Sequence, residues 1–224
     1  MNEVRYVIGL DEVGCGALAG PLVVAAVAFA VGAPKVTTTW RGLKTDKTLE
    51  AGDSKKVKVA AQRAALAQAI KGECTTFAVI ERSPHEIDAR LLGTVLPEAV
   101  HLAAARCCES LLGRTPGLVA SQVLLIVDGD LARPSVPCQV RMLPGGDGLD
   151  WRVGAASIVA KAAHDIRIDQ LTAAYPRWDF DKHRGYPTPQ HKELLRKRGL
   201  IEDVHRKSFG PVRSSRGPIP GFEE

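Results

Sequence analysis

The chain has 224 residues, 45% of them hydrophobic and 25% charged, with a net charge of +5 and a pI near 9.0. That length buries one substantial core and is short for two. The composition is that of an ordinary globular domain and excludes a fibrous or disordered polypeptide, and the basic balance points to a polyanionic partner. The five cysteines (Cys15, Cys74, Cys107, Cys108, Cys138) are odd in number and form no C-x-x-C pair. Neither a disulfide framework nor a zinc site is expected, and a reducing cytoplasm fits best. The N-terminus carries Glu3, Asp11 and Glu12 rather than a basic patch before an apolar stretch. The apolar run Ala17–Val31 is broken by Gly20 and Pro21 and is too short to span a bilayer, so no membrane association is expected.

In chain order, Tyr6–Leu10 (YVIGL) reads as a short buried strand and Pro21–Phe29 (PLVVAAVAF) as a second, joined by a glycine-rich turn. Val31–Gly52 is polar, contains a TTT run and reads as a loop. Asp53 or Ser54 is placed to cap a helix running to about Ile70. Thr75–Ile80 predicts a third strand, Thr94–Leu112 a helix, and Val123–Val127 (VLLIV) a strand flanked by helical pattern, as in alternating α/β folds. Cys138–Met142 reads as a fifth strand. Ala155–Ala174 reads as a long helix ending at Tyr175-Pro176, and Thr188–Arg198 as a last helix stopped at Gly199. No repeat or linker appears, so a single α/β domain over residues 1–212 is expected, with a disordered tail from Arg213.

Charge is uneven. Residues 182–216 hold ten lysines and arginines against three acids, a net +7. A basic segment can neutralise phosphates while carboxylates elsewhere bind cations; the plainer reading is a solvated helix face. The carboxylates carry more information. Asp11-Glu12 follow the first apolar run and Asp128 ends VLLIV, and ligands of α/β sheets sit at such strand ends. Asp147 lies in a glycine loop before the long helix. Four carboxylates converging on one sheet edge cannot all stay ionised without cations, and a hard ion such as Mg²⁺ suits them. Taken singly, each is as readily a turn cap. Gly14, Gly16 and Gly20 do not make a dinucleotide fingerprint, since Pro21 opens a strand where a helix should begin; they let the main chain approach a ligand closely.

These residues carry a family likeness. DEVGCGALAGPLVVAAV (Asp11–Val27) resembles the opening motif of ribonuclease HII. So, in order, do DSKK (Asp53–Lys56), VDG (Val127–Gly129), GAASIVAKAAHD (Gly154–Asp165), HRGYPTPQH (His183–His191) and HRKSFGPV (His205–Val212). The likeness is collinear over roughly residues 5–212. It implies an RNase H-like fold, a mixed five-stranded sheet flanked by helices with a helical, basic C-terminal segment. It also implies two-metal hydrolysis with Mg²⁺ or Mn²⁺ held by Asp11, Glu12, Asp128 and Asp147; Asp150 competes for the fourth place but has the wrong spacing. It implies a ribose 2′-hydroxyl reader at Gly14, Cys15 and Gly16, a junction-stacking Tyr186, and basic positions for phosphates at Lys55, Lys56 and Lys161, although Lys161 also reads as a helix-surface lysine. The implied substrates are RNA–DNA hybrids and duplex DNA with embedded ribonucleotides, cut to a 3′-hydroxyl and a 5′-phosphate by a monomer. Two residues depart from the family pattern: Cys15 stands for an arginine and Gly145 for a lysine. The polar stretch 31–52 is also longer than the family leads one to expect. A resolvase- or transposase-like nuclease shares clustered carboxylates but not the glycine turn with the tyrosine. A non-catalytic or substrate-shifted hybrid-binding homologue is the reading from another class.

Overall fold

The computed structural model describes residues 3–40, 47–52, 57–130 and 132–215. Strand β1 (Tyr6–Val13) pairs antiparallel with β2 (Leu22–Ala30) over its whole length, from Tyr6↔Ala30 to Val13↔Val23. The strand therefore continues three residues beyond the apolar run. Ladder bonds come from the main chain, so Asp11 and Glu12 stay in register while their polar side chains end the hydrophobic signal. Strands β3 (Thr37–Trp40) and β4 (Lys47–Glu50) form a separate antiparallel pair. Here the expected loop is corrected: the TTT run supplies β-branched residues that favour a strand. Val36, Leu49 and Ala51 bury their side chains in the core beside Leu66 and Ile70.

Helix α1 (Ala60–Glu73) follows, with Val59 as its N-cap and no side-chain cap. Asp53 and Ser54, proposed as its cap, lie outside the described residues, and the helix begins later than that cap would set. Then come β5 (Thr76–Arg82), α2 (Pro84–Arg90), α3 (Leu92–Arg114), β6 (Val123–Asp128), β7 (Gln139–Leu143), α4 (Gly146–Leu149) and α5 (Trp151–Ala174). The chain continues through α6 (Phe180–His183), α7 (Pro189–Arg198) and α8 (Gly210–Arg213). The main sheet has the order β5-β2-β1-β6-β7, with β1, β6 and β7 mutually parallel and β2 antiparallel to β1. This is the mixed five-stranded sheet with flanking helices that the family likeness implies. The tail beyond 215 lies outside the described residues.

Two compact units emerge. The first comprises Met1–Val13, Val23–Ile80 and Leu96–Ala163, and the second Gly14–Leu22, Glu81–Val95 and His164–Glu224. The core of the first packs β2 residues Val23, Ala25, Val27 and Phe29 against α1 and the N-terminal half of α5. The core of the second gathers Leu18, Ile168, Trp178, Phe180, Leu195, Val204 and Val212. Among the described residues no single helix is long and apolar enough to cross a membrane.

Candidate active site

In the first unit, the parallel ladder between β1 and β6 ends at Leu10↔Val127. The next residue on each strand is Asp11 and Asp128. Neighbouring strands run about 4.8 Å apart, so the topology alone brings these two carboxylates together. Asp11 is 5% exposed. Burial pushes its carboxyl up to about 7, and the charges of Glu12 and Asp128 push the same way; bonds from the Ser157 hydroxyl and the Glu12 N–H oppose the shift. Asp128 Oδ1 accepts from the N–H groups of Gly129 (2.9 Å) and Gly146 (2.8 Å). The second bond ties β6 to α4, whose first turn carries the buried Asp147. Asp150, the competitor, is engaged elsewhere: it accepts from the N–H and guanidinium of Arg152.

Lys161 is not a plain surface lysine. Its Nζ donates to Ser157 Oγ at 2.8 Å, one turn back on α5, and Ser157 in turn bonds Asp11. Ser157 is fully buried. The i, i+4 spacing of Ser157 and Lys161 was available in the sequence, but only the fold turns that pair toward Asp11. Lys55 and Lys56 lie outside the described residues. The donor chemistry of this cluster, hard carboxylate oxygens with one held at a raised pKa by burial and then by its neighbours, fits a divalent cation. Among the described residues no three such groups close into a cage.

In the second unit, the turn after β1 is shaped by Gly14. Its φ is +89°, and a Cβ there would lie 2.6 Å from the Pro21 carbonyl oxygen. Gly16 has open space around it. Tyr186 is partly exposed; burial raises its hydroxyl pKa, while a hydrogen bond with the Gly14 main chain works the other way.

Behind Tyr186 lie three buried histidines. His183 and His191 stack with ring centroids 3.9 Å apart. Their tautomers follow from their partners. Ile201 N–H donates to His205 Nδ1 (2.9 Å), so His205 Nε2–H donates to His191 Nε2 (3.1 Å), leaving His191 Nδ1–H to donate to the Tyr186 carbonyl (2.9 Å). Gly185 N–H donates to His183 Nδ1, whose Nε2–H donates to the Trp178 carbonyl at 2.7 Å. All three are neutral. Burial pushes His191 and His205 down to about 4 and lowers His183.

The basic stretch needs correction. Lys182 pairs with Asp179, and Arg184 with Asp165 and Asp169, acids that lie just outside the 182–216 window. Arg206 is wholly buried. The window's +7 therefore overstates the charge offered to a polyanion. Arg206, Ser157 and the histidines were not singled out from the sequence; Arg206 in HRKSF looks like any basic residue until the fold encloses it.

The ribonuclease HII family model matches residues 8–212. This chain belongs to the ribonuclease HII family. A ribonuclease HII of Bordetella pertussis is 35% identical over 212 residues, covering 95% of this chain and 92% of its own. Among solved structures, the ribonuclease H2 of Pyrococcus horikoshii superposes with a TM-score of 0.69 at 20% identity, covering 94% of this chain and 96% of its own. Bst-RNase HIII in complex with Mn²⁺ does so at 0.66 and 19% identity, covering 95% and 70%. The fold is thus shared with these two ribonucleases, and ribonuclease HII membership makes the chain a ribonuclease H enzyme. Gly145, the N-cap of α4, has φ +72°, a conformation that glycine adopts without strain.

Proposed function

We propose that this chain hydrolyses the RNA strand of RNA–DNA hybrids and cuts 5′ of ribonucleotides embedded in duplex DNA, leaving a 3′-hydroxyl and a 5′-phosphate. Residues 1–212 act as one catalytic domain, and the enzyme works as a cytoplasmic monomer. The observation that carries the reading is the Asp11–Asp128 pair at the end of the parallel ladder, where burial first and then like charge raise the Asp11 pKa and make a cation favourable. Asp11, Glu12, Asp128 and Asp147 would hold two Mg²⁺ or Mn²⁺ ions, Mn²⁺ being the ion named with the Bst-RNase HIII neighbour. Bound there, such ions lower the pKa of a water and stabilise the leaving oxygen of an in-line displacement.

The chain's own groups do the rest. Ser157 orients the Asp11 carboxylate, and the Lys161 ammonium behind it offsets negative charge. Amides of the turn at Gly14, Cys15 and Gly16 read the ribose 2′-hydroxyl, the group that distinguishes RNA from DNA. The open space around Gly16 leaves room for a sugar to approach. Tyr186 stacks at the RNA–DNA junction, and Lys55 and Lys56 meet phosphates. The test is incubation of three duplexes, all-DNA, RNA–DNA hybrid and DNA with one ribonucleotide, with Mg²⁺ or Mn²⁺ and with EDTA. The expected result is metal-dependent cutting of the last two only, 5′ of the ribonucleotide. Binding without cutting would favour a non-catalytic homologue, and equal cutting of DNA would end the ribonuclease reading.

A further inference from the structure

Arg206 heads the fully buried side chains of the described residues, ahead of every apolar one by volume. A buried cation needs dense polar compensation. The hydrogen bonds of this guanidinium end on main-chain carbonyls of the loop after β1. Nη1 donates to Gly14 O (2.7 Å) and Cys15 O (3.2 Å), and Nε and Nη2 both donate to Gly20 O (3.2 and 3.0 Å). Its own N–H donates to Leu18 O at 2.8 Å. The Phe209 ring lies against it, 5.2 Å from centroid to guanidinium carbon. The segment bearing Arg206 is itself fixed: Asp88 of α2 accepts from Lys207 N, Ser208 N and Ser208 Oγ. The loop is therefore wrapped around one side chain.

Peptide planarity gives this wrapping a consequence. In a trans peptide the C=O of one residue and the N–H of the next point in opposite directions. Carbonyls of Gly14 and Cys15 that face inward to Arg206 oblige the N–H groups of Cys15 and Gly16 to face away from it. We propose that Arg206 is the positioning residue for ribonucleotide discrimination: it holds the turn's carbonyls inward and so presents the Cys15 and Gly16 amides to a ribose 2′-hydroxyl. This rests on the reading of that turn as the 2′-hydroxyl reader. Lysine cannot replace the planar fork, because its three donors radiate from one atom.

The test measures binding of the full chain, in EDTA, to a duplex carrying one ribonucleotide and to its all-deoxy twin. Wild type should prefer the ribonucleotide duplex by about tenfold or more, the scale of two neutral hydrogen bonds. In Arg206→Gln the preference should vanish. The all-deoxy affinity, which rests on phosphate contacts, should stay within about twofold. Arg206→Lys should fall between the two, and it carries the test if the glutamine variant does not fold. Wild-type preference in either folded variant, or equal loss on both duplexes, would overturn the proposal; so would failure of both variants to fold, which would assign Arg206 to stability alone. A wild type with no preference would refute the reading of the turn itself, and the proposal with it.

Discussion

Gly14 and Gly16 flank the same cysteine but answer to different constraints. Gly14 combines φ +89° with a carbonyl oxygen 2.6 Å from where a Cβ would sit. Gly14→Ala should therefore cost about 2 kcal/mol or more, the left-handed penalty plus a clash with main chain. Gly16→Ala meets nothing within 4 Å and should stay within about 0.5 kcal/mol of wild type in stability, while reducing cleavage of a single-ribonucleotide duplex. Denaturant titration and kinetics on the two variants check this, and equal stability losses would refute it. Asp11 invites the opposite pattern. Outer-shell partners of a metal ligand are worth about 10–100-fold, so Asp11→Asn should lower turnover by more than about a hundredfold. It also removes a buried carboxylate repelled by Glu12 and Asp128. Apo stability at pH 8 should then rise by roughly 1 kcal/mol or more. A variant with near wild-type turnover would remove Asp11 from the site.

At the scale of elements, α2 shows what a short helix needs. Ser83 accepts from Glu86 N–H at 3.2 Å, and Glu86 Oε2 accepts from Ser83 N–H at 2.8 Å, a complete capping box with Pro84 in the first turn. Asp88, which anchors the Lys207-Ser208 segment, sits on this helix. Ser83→Ala should cost about 1 kcal/mol, and hydrogen exchange should rise at the Lys207 and Ser208 amides along with those of α2; unchanged exchange at 207–208 would show the anchor does not depend on the cap. The box was present in the sequence as SPHE, yet seven residues of helix carry too little periodicity to register. Strands were legible wherever apolar residues ran on: β2, β5, β6 and β7 lie within two residues of where their patterns put them. Legibility failed where polarity hid backbone pairing, as at Asp11–Val13 in β1 and Thr37–Trp40 in β3.

For the whole molecule, chain order and residue type sufficed to nominate Asp11, Glu12 and Asp128, because acidic residues closing two separate apolar runs are less readily explained as turn caps together than singly. They did not reveal the interior polar groups that support a surface turn, since His191, His205 and Arg206 look solvent-loving in one dimension and are enclosed only by the folded chain. That enclosure sets the acid response. His191 and His205 titrate near 4 in the fold and near 6.5 when unfolded. Between those values the unfolded chain binds protons that the native chain does not, so stability falls as pH drops through 6.5 toward 4. From pH 7.5 to 5 each histidine should subtract about 2 kcal/mol from the total free energy of unfolding. Asp11 acts with the opposite sign. Its folded value of about 7 lies above its unfolded 3.8, so the native chain takes up a proton over the same interval and gains about 2.5 kcal/mol. These three groups together should give a loss in EDTA of about 1.5 kcal/mol for wild type and about 4 kcal/mol for Asp11→Asn, which lacks the offset, and His183, lowered by burial, adds to both in the same direction. Urea titrations of both proteins at pH 7.5 and 5 measure the difference. Equal acid losses would show that Asp11 is not protonated in the native cluster, and no loss in either would show that the buried histidines titrate normally.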